Sequence, residues 1–535
     1  MLVIAQPELL ALTQQNMLVL TPSRKRERQL ATPNERLAAS LSALRALQKG
    51  GRRVFRSKEI SRVHRDRLLQ NGFLQTVIKG WLISSSPHAR DGDSTPWYAS
   101  FWEFCARYCE ERFSTSWCLS AEQSLMLHAA NTVTPSQVVI QTPKGANHKL
   151  TLPFGASLYD LKQPRMPSPA EIQVRQGLRV FTRAAALVRV PENFMVRNPL
   201  ETQLVLTTVG DSADLLRLLL DGGHSSVAGR LAGGLRRAQR GVLADEIVKT
   251  MKAAGYDVRE TDPFVGQQPL SALPATASPI VGRIQALWAS MRHQVLEVFP
   301  QSPGLPSDKS AYLHSVDEIY QSDAYHSLSI EGYSVSTALI ERVRSGSWDP
   351  DNHDADRQSR DALAARGYWQ AFQSVKKTID AIIRGDNAGT LVRSAHRDWY
   401  RELFQPCVGA GLLPASALAG YRNDAVYLRT SRYVPPRWEA VRDAMPALFD
   451  LLEAETEPAV RAVLGHWLFG YIHPYPDGNG RIARFLMNAT LASGGYAWTV
   501  IRVEDRVAYL AALDRASVDM DIAPFASFIA DRVAR

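Results

Sequence analysis

Residues 473–484 read His-Pro-Tyr-Pro-Asp-Gly-Asn-Gly-Arg-Ile-Ala-Arg. An imidazole, a carboxylate, a turn framed by glycines and two arginines therefore fall within a dozen positions. Gly478 and Gly480 flank Asn479, and glycine accepts positive φ without a steric penalty. Successive main-chain N–H groups can then converge on one anion. Ile482, Phe485, Leu486, Ala489 and Leu491 recur at near-helical spacing, so a helix is expected from about Gly480. Its first turn carries unpaired N–H groups and the positive end of the helix dipole, which suits a phosphate. Arg481 and Arg484 are three apart and share one face, where guanidinium forks can grip phosphate oxygens. Asp477, just before the turn, is placed to share a Mg²⁺ with those oxygens. His473, with a pKa near neutrality, can take the proton of an incoming hydroxyl. Together these parts point to transfer of a phosphorus-centred group, a reaction catalysed mainly by positioning and electrostatics.

Each residue alone has an ordinary explanation: a packed histidine, an Asp-Gly turn, a solvated pair of arginines. The ordered combination does not. The segment resembles the signature of the Fic family, His-Pro-Phe-x-Asp/Glu-Gly-Asn-Gly-Arg-x-x-Arg, and departs from it only at Tyr475, where Phe is usual. The tyrosine keeps an aromatic anchor, but its hydroxyl needs a partner if buried. Most members of that family transfer AMP from ATP to a target hydroxyl. The resemblance implies His473 as general base and Asp477 as the Mg²⁺ ligand. It also implies Gly478, Asn479 and Gly480 as the anion hole, with Asn479 on the α-phosphate, Arg481 at the β-phosphate and Arg484 at the γ-phosphate.

Upstream, Ser327-Leu328-Ser329-Ile330-Glu331-Gly332 resembles the family's inhibitory motif, Ser/Thr-x-x-x-Glu-Gly/Asn. Ser327 and Glu331 would then belong to a self-inhibited class, with the glutamate on Arg484 in the place of the γ-phosphate. Glu331 could instead position a water for removing AMP, and the sequence does not separate these roles. Between the motifs, Tyr427, Leu428 and Arg429 lie in a stretch resembling the family's flap, a β-hairpin that docks a target segment by main-chain pairing. His466 is read as structural packing, and Tyr509 as a residue lining the nucleotide pocket.

The elements expected to hold these residues are helices. Apolar stripes run through 437–453 and 458–471, and Gly494-Gly495 ends the motif helix. In the N-terminal half, a helix over 35–48, short helical elements near 57–60 and 64–70, and a hairpin around Lys79-Gly80 read as a winged helix. Arginines concentrate there, with Arg62, Arg65 and Arg67 set to meet duplex DNA. A protein-binding winged helix with a solvated basic face is the alternative. Residues 30–265 loosely resemble AbiEi-type antitoxin and regulator proteins.

The expected class is a multidomain, mainly α protein. An all-α Fic domain with a β-hairpin flap lies at the C-terminus, and an α/β winged helix with a mixed α+β region lies at the N-terminus. The expected divisions are an N-terminal helical and basic segment (1–29), the winged-helix-like domain (30–90) and a mixed α+β AbiEi-like region (91–265). A linker (266–280), a helical region with the inhibitory motif (281–390) and the catalytic domain (391–535) follow. The 535 residues carry a net charge of +9, which suits an acidic partner. No apolar run is long enough to span a membrane. Four cysteines fit a reducing cytoplasm, and a cytoplasmic protein of bacterial type is expected. Cys105, Cys109 and Cys118, with His128 further on, do not match zinc spacing and read as buried thiols.

The function expected is therefore a self-inhibited protein adenylyltransferase using ATP and Mg²⁺ on the Ser, Thr or Tyr hydroxyl of a target protein. Its N-terminal half would bind duplex DNA or a partner, and self-association stays open. The alternatives are a transcriptional regulator that senses nucleotide, or transfer of another phosphate-bearing group.

Overall fold

The computed structural model describes residues 32–87, 92–266, 278–348 and 359–534. The expected N-terminal helical and basic segment and residues 267–277 of the expected linker lie outside them. Among the described residues no helix is long and apolar enough to cross a membrane.

Helix α1 (Pro33–Leu47) starts at Thr32, whose hydroxyl accepts the Glu35 N–H while the Glu35 carboxylate accepts the Thr32 N–H. This reciprocal box satisfies two of the donors that a helix start leaves free. Strand β1 (Val54–Arg56), helix α2 (Arg62–Gln70), and strands β2 (Leu74–Ile78) and β3 (Trp81–Ser84) follow. The three strands form an antiparallel sheet in the order β1–β3–β2. Leu44, Phe55, Ile60, Leu68, Leu74 and Leu82 make a small core of their own.

Next comes α3 (Thr95–Phe113), then β4 (Cys118–Leu119), α4 (Ala121–His128), β5 (Gln137–Thr142), β6 (His148–Thr151) and β7 (Ser157–Lys162). The sheet order is β4–β5–β7–β6, with β5 and β7 parallel. A hairpin of β8 (Ile172–Arg175) and β9 (Leu178–Phe181) follows. Cys105, Cys109 and Cys118 are buried free thiols, and burial pushes the Cys118 thiol up to about 12. His128 donates its Nε2–H to the Phe181 carbonyl at 2.8 Å.

Helices α5 (Arg183–Arg189), α6 (Glu192–Arg197), α7 (Pro199–Thr207), α8 (Ala213–Gly222), α9 (Ser225–Arg237) and α10 (Gly241–Ala253) lead to the C-terminal bundle. The bundle comprises α11 (Pro279–Val298), α12 (Lys309–Ile330), α13 (Thr337–Arg344), α14 (Arg360–Ile383), α15 (Ala388–Gly409), α16 (Trp438–Ala454), α17 (Pro458–Ile472), α18 (Asn479–Ala492), α19 (Arg506–Val518) and α20 (Ala523–Val533). One continuous core joins α5–α10 to this bundle. A buried polar chain crosses the same junction. The Glu201 carboxylate on α7 accepts from Asn131 and from Arg283 of α11, each at 2.9 Å, and Arg283 also donates to the Tyr471 hydroxyl of α17 at 2.9 Å.

The expected flap hairpin is not formed. Residues 421–434 contain no strand, only an isolated bridge between Tyr433 and Val133. The reason lies in its neighbours. The Thr430 N–H donates to the Ser94 hydroxyl at 3.1 Å, and the Arg432 carbonyl accepts the Thr134 N–H at 2.8 Å. The N-terminal half takes up the main-chain groups that would have paired within a hairpin, and Pro435-Pro436 then prevents extended pairing beyond.

Candidate functional site: a cavity at the start of the motif helix

Helix α17 is apolar around nearly its whole circumference and is buried along most of its length. It ends because His473 adopts a left-handed conformation, φ +52, and Pro474 cannot donate a further helical bond. The chain turns and restarts at Gly478, φ +81, the N-cap of α18. Glycine is required there twice over, since a Cβ would also lie 2.8 Å from the Phe404 ring. Asn479 braces the turn: its Oδ1 accepts the Tyr475 N–H at 2.9 Å, and its Nδ2 donates to the Tyr475 carbonyl at 2.8 Å. One N–H of the amide expected on the α-phosphate is thus used within the loop, while Asn479 still lines the cavity. The main-chain N–H groups of the first turn are oriented as an anion would need.

Tyr475 is fully buried and stacks on Tyr400, with ring centroids 3.9 Å apart. Its hydroxyl has no hydrogen-bond partner, contrary to the expectation that one would be needed. Stacking holds the ring, and burial pushes its phenol well above the ordinary range.

The turn is anchored by a residue that sequence reading missed. Arg422 is buried, and its guanidinium donates to the carbonyls of His473 at 2.7 Å and Asp424 at 2.8 Å, and to the Pro436 carbonyl. It has only carbonyl partners among its hydrogen bonds, and burial lowers its pKa to about 10. It ties the flap segment at both ends to the turn that begins at His473.

A cavity of about 350 Å³ opens beside this turn. His473, Asn479, Gly480, Arg484 and Glu331 line one end of it, and Leu428 and Arg429 of the flap line it as well. The His473 ring is buried. Its Nδ1 lies 3.1 Å from the Gly470 carbonyl and must carry the proton, because a carbonyl only accepts. Nε2 is then left with a lone pair, and it has no hydrogen-bond partner. Burial lowers the pKa to about 3, with the Gly470 carbonyl opposing and Arg422 assisting. The imidazole is therefore neutral near pH 7, the state a proton acceptor needs.

Arg484 meets α12 across the cavity. It donates to the Ser327 hydroxyl at 2.9 Å, the Ser327 carbonyl at 3.0 Å and the Glu331 carboxylate at 2.9 Å. Both members of the ion pair are buried. A Cβ at Gly480 would lie 2.1 Å from Glu331 Oε1, so this carboxylate occupies the first turn of α18, where an anion would sit. Burial would raise the Glu331 pKa, but nearby cations, Arg484 and Arg481 among them, hold it well below the carboxylate range. Gly332, φ +89, turns the chain away after Glu331, and Arg506 of α19 holds the end of α12 by donating to the Ile330 carbonyl at 2.8 Å.

Arg481 takes a different position from Arg484. It is buried between the rings of Tyr333 and Phe404, 5.2 and 5.0 Å from their centroids, and reaches Asp477 at 3.3 Å. Asp477 is partly exposed, and its other oxygen accepts the Gly478 N–H at 2.7 Å. Among the described residues no group of three His, Cys, Asp or Glu side chains could hold a metal by itself. Asp477, a single partly exposed carboxylate already held by Arg481 and the Gly478 N–H, has the donor chemistry to share a Mg²⁺ with oxygens supplied by a ligand.

Tyr509, as expected, lines the cavity. His466, read as packing, also lines it, and its Nε2 is 2.8 Å from the Tyr509 hydroxyl. It precedes His473 by seven residues, two helical turns, and that same-face spacing was the available signal.

In the N-terminal module, Arg67 donates to the Arg36 carbonyl and the Ser40 hydroxyl, both at 2.8 Å. Arg65 pairs with Asp66, and Arg62 is largely exposed beside the same carboxylate. Tyr427 of the flap lies beneath Arg53 of this module, and Arg429 pairs with Asp93.

Residues 390–491 match the Fic/DOC family. The chain is 42% identical over 114 residues to the protein adenylyltransferase Fic of Nematostella vectensis, covering 21% of this chain and 26% of that protein. It is 25% identical over 289 residues to the protein adenylyltransferase fic-1 of Caenorhabditis briggsae, covering 52% of this chain and 50% of that protein. The match thus spans half or less of these curated relatives. Residues 134–508 of Fic-1 from C. elegans align in structure at 16% identity with a TM-score of 0.35, covering 66% of this chain and 88% of that one.

Proposed function

We propose that the C-terminal bundle is a protein adenylyltransferase, moving AMP from ATP to a hydroxyl of a target protein, and that Glu331 holds it inactive. The observation that carries this reading is the convergence in one cavity of the unpartnered His473 Nε2, the first turn of α18, and Arg484 already gripping a carboxylate. A triphosphate on the N–H groups of that turn would present its α-phosphorus to the hydroxyl. As the hydroxyl oxygen bonds to phosphorus, its proton passes to Nε2, and the bond to the bridging oxygen breaks to release pyrophosphate. The negative phosphates would raise the imidazole's pKa from its present low value toward the range where a base works best. Asp477 would hold a Mg²⁺ with the phosphate oxygens, which would neutralise charge on the leaving group.

Glu331 competes with the end of the triphosphate for Arg484. Removing it would leave a buried guanidinium without its counter-charge, a loss of about 3–5 kcal/mol that bound phosphate could offset. The test is incubation with labelled ATP and read-out of protein labelling. Glu331→Gly should label more strongly than the parent, and His473→Ala should label in neither background. Equal labelling by parent and Glu331→Gly would reject the brake, and labelling that survives His473→Ala would reject the base.

For the N-terminal module the reading is a winged helix that binds duplex DNA. The helix–strand–helix–hairpin order with the β1–β3–β2 sheet favours it, and Arg62, largely exposed beside Asp66, is the most accessible of the three arginines to a phosphate. A salt-dependent mobility shift of duplex DNA by the full chain tests it, and no shift at low salt rejects it.

A further inference from the structure

The cavity has a second end. Helix α19 runs along it from Arg506, next to the brake, to Asp514 and Ser517. Eight residues at 1.5 Å each place Asp514 about 12 Å along the helix from Arg506, roughly the reach of a nucleotide from its phosphates to its base. Leu428 of the flap, Tyr471 of α17, and Leu510 and Leu513 of α19 supply apolar surface between the two ends, as a flat base requires.

The polar groups at the far end are nearly all in use. The Ser431 hydroxyl donates to Asp514 Oδ1 and accepts the Tyr433 N–H at 3.0 Å. The Ser517 hydroxyl accepts from the Trp467 indole at 3.0 Å and donates to the Leu513 carbonyl at 2.9 Å. Asp514 Oδ2 accepts no hydrogen bond from the described residues. What this end offers a ligand is a carboxylate oxygen with its position fixed through Ser431, and an ionised carboxylate only accepts.

We infer that Asp514 selects the base, so that the cavity takes a nucleotide presenting an exocyclic amino group to this carboxylate and rejects one presenting a carbonyl there. This rests on the nucleotide reading of the cavity given above. An amino group on the base would donate to Oδ2. A carbonyl oxygen in its place would face the carboxylate with no proton between them, leaving two acceptors opposed in a partly dry pocket. ATP and ITP make the discriminating pair, because they differ at the six-position of the purine, amino in one and oxo in the other.

The experiment uses the full chain carrying Glu331→Gly, to clear the phosphate end, and His473→Ala, to prevent turnover. Calorimetric titration compares ATP with ITP, with and without Asp514→Asn, and thermal melts confirm that each variant is folded. ATP should bind about tenfold or more tightly than ITP in the parent pair of substitutions. Asp514→Asn should shrink that ratio several-fold, because its amide can turn an N–H toward the carbonyl of ITP. Equal affinities in the parent, or a ratio unchanged by Asp514→Asn, would overturn the assignment and leave the nucleotide site standing. Binding of neither ATP nor ITP would overturn both.

Discussion

Two helices of this chain carry closely spaced arginines, and they use them in opposite ways. On α18, Arg481 and Arg484 are buried, one between aromatic rings and the other against the end of α12. On α2, Arg62, Arg65 and Arg67 lie at or near the surface, paired with Asp66 or folded back onto α1. The α2 cluster is the denser in sequence, yet α18 has the arrangement that can do chemistry. A guanidinium removed from water is costly unless matched, so a buried one specifies its partner closely. An exposed guanidinium is screened within about 8 Å at physiological salt and specifies little. Charge density in a sequence is therefore a weaker guide to function than charge whose neighbours are apolar.

Breaking the buried side should give the largest effects. His473→Ala, assayed by nucleotide labelling in the Glu331→Gly background, should lower the rate by about 10²–10⁴-fold with little loss of ATP affinity. Glu331→Gly alone should raise labelling by about tenfold or more, and it should lower the melting temperature when no nucleotide is present. ATP should restore part of that loss, a ligand-dependent gain that the parent would show only weakly.

Acidification tests the buried region as a whole. His128, His396, His466 and His473 are each buried, and burial lowers their pKa values to about 4, 4, 3 and 3. Between those values and the unfolded pKa near 6.5, the unfolded chain binds more protons than the folded one. Stability should therefore be complete above about pH 6.5 and fall as pH drops toward 4, each histidine adding on the order of 1 kcal/mol per pH unit. Urea melts across that range check this. Labelling by Glu331→Gly at ATP far below saturation, which reports the free protein, should not show the pH 6.5 inflection of an ordinary histidine, provided the chain is still folded.

The exposed side should give the smallest effect. Arg62→Ala should weaken duplex binding equally for all sequences and reduce the salt slope by about one. Arg67→Ala should instead destabilise the module, since that side chain holds α2 to α1.

How much of the site was legible follows the same division. The motif from His473 to Arg484 is contiguous, so its turn, its helix and the positive φ of Gly478 could be read from spacing, whereas Gly480 is helical and gives room to Glu331 instead. What Asn479 and Arg481 do with their side chains could not, because that depends on Tyr475, Tyr333 and Phe404 folding against them. Arg422 and Asp514 were missed for a related reason. Each acts on a segment far away in the chain, and neither sits in a local pattern. The flap shows the converse failure. Its local signals favoured a hairpin, but pairing with Ser94 and Thr134 from a distant part of the sequence claimed the same main-chain groups. Local propensity decides such a segment only when no remote partner competes for it.

The chain of contacts from Asn131 through Glu201 and Arg283 to Tyr471 bears on how this molecule can be cut. A fragment beginning at residue 278 would keep Arg283 on α11 and lose the Glu201 carboxylate that balances it. Trimming to the C-terminal half would thus strand a cation against Tyr471, two residues before the imidazole of His473. Any shortened version would need Arg283→Met, or Glu201 supplied in trans, before its silence could be interpreted.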